Sequence, residues 1–136
     1  MVNFVCCVAF VVLLTSCSIG GTSRTEARAM KNPVESTPES VAAGKNLYEK
    51  HCVTCHGATG KGDGEKALAL VEKGQSKPSD LTDAKWDHGS TDGEIFVNIR
   101  EGVGVGRVME GLSGKPGIGD TDVWNLVNYV RTLKGL

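Results

Sequence analysis

Two cysteines and a histidine stand within one five-residue run, Cys52-Val53-Thr54-Cys55-His56. This spacing is that of c-type haem attachment, in which both thiols add to the vinyl groups of the porphyrin as thioethers. Two intervening residues let both sulfurs reach neighbouring vinyl groups, and the next residue then falls beneath the iron. The sequence therefore predicts one covalent haem held by Cys52 and Cys55, with His56 as an iron ligand.

A C-x-x-C run also occurs in zinc sites and in thioredoxin-like redox pairs. A zinc site needs further ligands, but the chain has no second C-x-x-C run and only two other histidines, His51 and His88. A thioredoxin-like pair needs a strand-to-helix context, and no such pattern surrounds Cys52. The residues therefore favour haem attachment over both alternatives.

Four runs begin within or after this motif. They are CHGATGKGDGEKA, KPSDLTDAKW, TDGEIFVNIREGVGVGRVMEGLSG and DVWNLVNYVRTL. In this order and spacing the chain resembles the bacterial class I cytochromes c over about residues 39–136. The resemblance implies an all-α cytochrome c fold, with three to five helices wrapped around one covalently bound haem. It also implies that the N- and C-terminal helices cross, with Tyr129 packed on Gly44.

The iron of such a haem has a sixth position, and the resemblance places Met109 there, in the glycine-rich run GVGVGRVMEGLSG. The other two methionines lie in the N-terminal segments that are predicted below to be a signal peptide and a tether. We therefore expect His56 and Met109 to be the metal ligands, with simple gap filling as the other interpretation of Met109. His88 is the rival ligand. Glu110 follows Met109 where the family usually has proline, which predicts a softer loop.

Four further residues are assigned to the haem site by resemblance alone. The carbonyl of Pro78 is expected to accept a hydrogen bond from His56, which would fix the ring and raise its basicity. Leu81 is expected to pack on a face of the haem. Trp86 and Arg100 are expected to contact a propionate, with core packing and a solvated charge as the respective alternatives.

Three helices must position these residues. The first is expected to begin near Pro38, with Ser36 or Thr37 as its cap. A middle helix is predicted from Asp92 to Glu101, where Thr91 and Glu94 form a capping box. The last is expected to begin at Asp120 or Thr121, and a shorter helical piece at 65–72. The sequence gives no convincing strand pattern.

The N-terminal run Phe4 to Leu14 holds 11 apolar residues, which is too few to span a bilayer and typical of a signal-peptide core. It ends in Leu-Thr-Ser-Cys, which resembles the lipobox of bacterial lipoproteins. We therefore predict a signal peptide at 1–16, a flexible tether at 17–37 with lipidated Cys17, and a cytochrome c domain at 38–136. The expected location is the periplasmic side, anchored to the membrane. The alternatives are a soluble periplasmic protein and an uncleaved anchor.

The composition limits the partners of the chain. Fifteen Lys and Arg against 16 Asp and Glu leave no basic excess, which disfavours nucleic acid. The resemblance and the expected ligands predict a monohaem electron carrier, not an enzyme, cycling between Fe(II) and Fe(III) with redox partner proteins in a bacterial respiratory or related chain. The alternatives are a peroxidase-like haem enzyme with an open distal site and an electron-entry subunit of a larger oxidoreductase.

Overall fold

The computed structural model describes residues 21–104 and 108–134 of the 136-residue chain. The described residues form α1 (Arg24–Ala29), α2 (Pro38–His51), α3 (Val53–His56), α4 (Ala67–Glu72), α5 (Asp92–Glu101), β1 (Gly102–Val103), β2 (Met109–Glu110) and α6 (Asp120–Thr132). Within these ranges, none of the helices combines the length and apolarity needed to cross a bilayer. The predicted signal peptide at 1–16 and the predicted lipid on Cys17 lie outside the described residues.

The crossing of α2 and α6 forms the main framework of the fold. Gly44 is buried at the crossing, where an added Cβ would lie 2.1 Å from Asn125 O and 2.9 Å from Tyr129 Cβ. Only glycine allows the two backbones to approach this closely. The predicted packing of Tyr129 on Gly44 is confirmed, and the Tyr129 ring also contacts Tyr48, with 5.2 Å between ring centroids.

The middle helix, α5, closes the core against α6. Its predicted capping box forms: the Thr91 hydroxyl accepts from Glu94 N, and the Glu94 carboxylate accepts from Thr91 N. The buried face carries Ile95, Phe96 and Ile99, and Phe96 stacks on Trp124 with 4.0 Å between centroids. Burial of this apolar face is what stabilises a helix of this length.

A pair of short strands, absent from the sequence-based expectation, follows α5. β1 pairs antiparallel with β2, with Gly102 opposite Glu110 and Val103 opposite Met109. Strands of two residues are too short to show the alternation by which a strand is recognised in sequence. The pairing ties Met109 to the end of α5, while Glu110 is exposed.

The N-terminal segment differs from the flexible tether expected at 17–37. Residues 24–29 form α1, whose Ala27 is buried at 3% exposure against the start of α5. Further along, Asn32 Nδ2 donates to the buried Asn128 Oδ1 of α6 at 2.7 Å. Because this docking uses few and irregularly spaced apolar side chains, together with close backbone approach and polar hydrogen bonds, the segment lacks the apolar periodicity that predicts packed structure.

Candidate haem site

The C-x-x-C-H run forms a single helical turn directly after α2. Cys52 N donates to Tyr48 O at 2.8 Å, and the turn is closed by His56 N, which donates to Cys52 O at 2.8 Å. Two cysteines three residues apart on one helical turn lie on the same side of it. The local fold therefore presents Cys52, Cys55 and His56 as one unit.

His56 is oriented by a hydrogen bond from Nδ1 to the carbonyl of Ser79, at 3.1 Å. The prediction that the Pro78 carbonyl accepts this bond is wrong by one residue. The Pro78 carbonyl instead faces Gly62, where an added Cβ would lie 2.2 Å from it. The same added Cβ would lie 3.3 Å from the Ser79 carbonyl oxygen, so both carbonyls pack closely on Gly62 and only that of Ser79 meets the imidazole.

The contact with Ser79 decides which nitrogen of His56 is available. A carbonyl only accepts, so Nδ1 carries the hydrogen and Nε2 keeps its lone pair. Burial lowers the pKa of His56, and the hydrogen bond to Ser79 opposes that effect only in part. The imidazole is therefore neutral at pH 7, which is the form that binds a metal.

Both thiols of the motif are free and half-buried. Burial raises the pKa of Cys52 to about 12, with a further contribution from the neighbouring Cys55. Cys52 lines the cavity described below, whereas Cys55 is not among its lining residues. The folded chain therefore holds Cys52 as a protonated thiol at the wall of the cavity.

An apolar cavity lies between the motif and the helices α5 and α6. His56 and Met109 both line it, so the tertiary structure brings together two residues that are far apart in the chain. Its apolar walls come from α5, α6, the strand pair and the loop that follows α4. The wall residues of these elements are Ile95, Ile99, Leu126, Val130, Val103, Leu81 and Trp86.

The other predicted site residues divide into two groups. Leu81, Trp86 and the rival ligand His88 line the cavity, whereas Pro78 and Arg100 do not. Arg100 instead pairs with Asp120, with 3.1 Å between Nε and Oδ1. Its expected contact with a propionate stays a prediction, as does the alternative of a solvated charge.

Two contributors were missed by sequence reasoning. Tyr48 is buried, and its hydroxyl donates to Gly57 O at 2.8 Å, which braces the loop after the motif. Arg131 of α6 lies over the Trp86 ring, with Cζ 5.6 Å from the centroid. The apolar spacing of α2 identifies Tyr48 as a core residue, but no sequence signal points to its hydroxyl bond or to the pairing of Arg131 with Trp86.

The residues of the cavity fit a covalent haem. A thiol for a thioether bond, a neutral imidazole with a free Nε2 and a methionine sulfur meet in a mainly apolar cleft, which is the donor set of a low-polarity haem site. In the described ranges no cluster of three or more His, Cys, Asp or Glu side chains is placed to hold a bare metal ion.

Comparison with known proteins extends these observations. The family model for cytochrome c matches residues 41–134. The chain is 33% identical over 113 residues to the cbb3-type cytochrome c oxidase subunit CcoP of Rubrivivax gelatinosus, covering 80% of this chain and 32% of that one. It is 31% identical over 98 residues to the CcoP of Rhodobacter capsulatus, covering 68% and 29%. The chain thus spans about a third of the length of these curated relatives.

Two solved structures resemble this fold. The first belongs to the reducing HAO-like protein complex of Kuenenia stuttgartiensis, with a TM-score of 0.63, 29% identity, and coverage of 77% of this chain and 49% of that one. The second is cytochrome CL of Methylophaga aminisulfidivorans, with a TM-score of 0.52, 21% identity, and coverage of 71% and 57%. At that identity the second match concerns the fold alone.

Proposed function

The chain belongs to the cytochrome c family, and we propose that it is a monohaem carrier of single electrons with His56 and Met109 as axial ligands. The observation that supports this proposal is the presence of both residues on one apolar cavity, with His56 Nδ1 already bonded to Ser79 O. Two filled axial positions leave no vacancy for oxygen or peroxide. The ligand pair therefore favours electron transfer over peroxidase-like catalysis.

The residues around the cavity set the midpoint potential of the iron. Haem supplies an iron that alternates between Fe(II) and Fe(III). Ile95, Ile99 and Val130 surround the cavity with hydrocarbon, which excludes water and favours the less charged, reduced state. A sulfur ligand from Met109 acts in the same direction. The hydrogen bond from His56 to Ser79 raises the basicity of the imidazole. It therefore opposes the effects of the apolar wall and of the sulfur ligand.

The test is a visible and near-infrared spectrum of the purified protein, combined with a redox titration. We expect a low-spin haem c, one haem per chain, a one-electron titration and, in the oxidised form, the near-infrared band of a sulfur-to-iron charge transfer. A high-spin ferric spectrum without that band would contradict the proposed ligand pair and indicate an open or differently occupied sixth position.

A proposal about location rests on the N-terminal residues. The apolar run before Cys17 and the Leu-Thr-Ser-Cys sequence support an exported lipoprotein on the periplasmic side of a membrane. Because Arg28 and Asn32 contact α5 and α6, part of the tether expected at 17–37 is docked on the domain.

Replacing Cys17 by serine is expected to release the protein from the membrane fraction or to block its processing, because serine cannot carry the thioether-linked lipid. The measurement is fractionation of cells followed by mass determination of the N-terminal peptide. Ser16→Ala is a matched control that keeps the cysteine and a small residue before it. A Cys17→Ser protein that is processed normally and stays on the membrane would contradict the lipoprotein proposal.

A second candidate function is an electron-entry subunit of a larger oxidoreductase. It is favoured by the similarity to CcoP, which is named as an oxidase subunit, and to a component of the Kuenenia complex. The redox chemistry is the same in both cases, and the difference lies in how tightly the partner is held. Stoichiometric copurification of a partner after detergent extraction distinguishes a subunit from a free carrier.

A further inference from the structure

Glu94 is a buried carboxylate for which electron transfer provides no role. It is 4% exposed, and Oε2 accepts hydrogen bonds from Ser90 N and Thr91 N, each at 3.1 Å. On the other side, Arg28 Nε of α1 donates to Oε1 at 2.8 Å. The pKa of Glu94 is lowered to about 2, mainly by the hydrogen bond from the Thr91 amide and next by the one from Arg28. The carboxylate is therefore ionised at neutral pH.

The segment that Glu94 holds leads directly to the haem cavity. Five consecutive residues, 85–89, line that cavity, and we call them the haem-lining segment. Gly89, the last of them, has φ +98, and an added Cβ there would lie 2.4 Å from Cδ of Glu94. The backbone of the haem-lining segment is therefore pressed against the Glu94 carboxylate and continues into Ser90 and Thr91, which donate to it.

Arg28 reaches Glu94 because α1 is docked on the first turn of α5. An added Cβ on Gly93 would lie 2.0 Å from Ala27 O, so the two backbones are in direct contact there. The Arg28 side chain is 63% exposed while that of Glu94 is 5% exposed. An exposed ion pair contributes little, but removing the cation from a buried carboxylate leaves an uncompensated charge and is costly.

We propose that α1 clamps the haem-lining segment, with Arg28 and Glu94 as positioning residues that control access of water and small ligands to the haem. The inference rests on the proposed haem site. When α1 undocks, Glu94 loses its cation and is driven toward solvent, which frees Ser90 and Thr91 and loosens Gly89 above it. Arg131 of α6 still donates a hydrogen bond to Ser90 O at 2.6 Å. The haem-lining segment is therefore loosened without being released from the fold.

The experiment compares the haem-loaded wild-type protein with Arg28→Gln and Gly93→Ala. Arg28→Gln removes the cation at an exposed position, and Gly93→Ala pushes α1 away without changing charge. Lys45→Gln is the control, because it removes one cation from an exposed pair with Glu49 on α2, where N and O are 3.9 Å apart. The readouts are amide hydrogen exchange at Ser90 and Thr91, the midpoint potential, and the rate of imidazole binding to ferric haem.

In both clamp variants we expect exchange at the two amides to accelerate about tenfold, imidazole to bind several-fold faster, and the potential to fall below that of Lys45→Gln. Clamp variants that lose only thermal stability, with exchange, potential and binding rate equal to the control, would show that α1 is a structural brace and overturn the proposal. If Gly93→Ala does not fold, Arg28→Gln decides alone. Absence of covalent haem from the wild-type protein would instead contradict the proposed function.

Discussion

Replacing Cys52 and Cys55 together by alanine is expected to abolish covalent haem. Each thioether needs one thiol, and Cys52 and Cys55 stand three residues apart on the turn that Cys52 and α3 form. Loss of the haem would also remove apolar contact from the cavity walls formed by Leu126 and Val130. For a domain of this size we therefore expect a melting temperature lower by 10 °C or more, roughly the effect of losing a few kcal/mol.

The measurement is haem staining after denaturing electrophoresis, together with the mass of the intact chain. Thr54→Ala is the matched control, because Thr54 is exposed and lies between the two cysteines on the same turn. It should keep wild-type haem content and mass. Covalent haem at the wild-type level in the double variant would refute the assignment of the motif.

Met109→Ala is expected to lower the midpoint potential by on the order of 0.1 V, a fraction of the ~0.8 V range that axial ligands span. The alanine removes the sulfur that stabilises Fe(II), and it opens a position on the cavity that Met109 shares with His56. The near-infrared charge-transfer band should disappear. Exogenous imidazole should then bind faster, since no protein ligand has to leave.

Val41→Ala is the control for this variant. Val41 lies on α2, packs against the core and does not line the cavity, so its truncation should leave the band and the potential unchanged. His88 lines the same cavity as Met109 and is the next residue to test. If the wild-type protein lacks the band and Met109→Ala keeps the wild-type potential, the sixth ligand is another residue, and His88→Ala should then change the potential and speed imidazole binding.

The sequence alone determined the features that depend on neighbouring residues. The C-x-x-C-H run needs only five consecutive positions, and its side chains meet on one helical turn whatever surrounds it. The capping box of Thr91 and Glu94 is equally local, and it places the start of α5 correctly. The crossing of α2 and α6 at Gly44 was predicted by resemblance, and the reason for it is the close approach that only a glycine permits.

Tertiary structure decided the features that depend on which distant groups meet. The acceptor for His56 is Ser79 and not Pro78, and no pattern in the sequence indicates which of two neighbouring carbonyls meets the imidazole once the loop has folded. The docking of residues 21–37 uses one buried alanine, a few partly buried apolar side chains and polar pairs such as Arg28 with Glu94, which are 66 positions apart in the chain. Periodicity reports only the faces of regular elements, so contacts made by backbone approach and isolated polar pairs become visible only when the chain is folded.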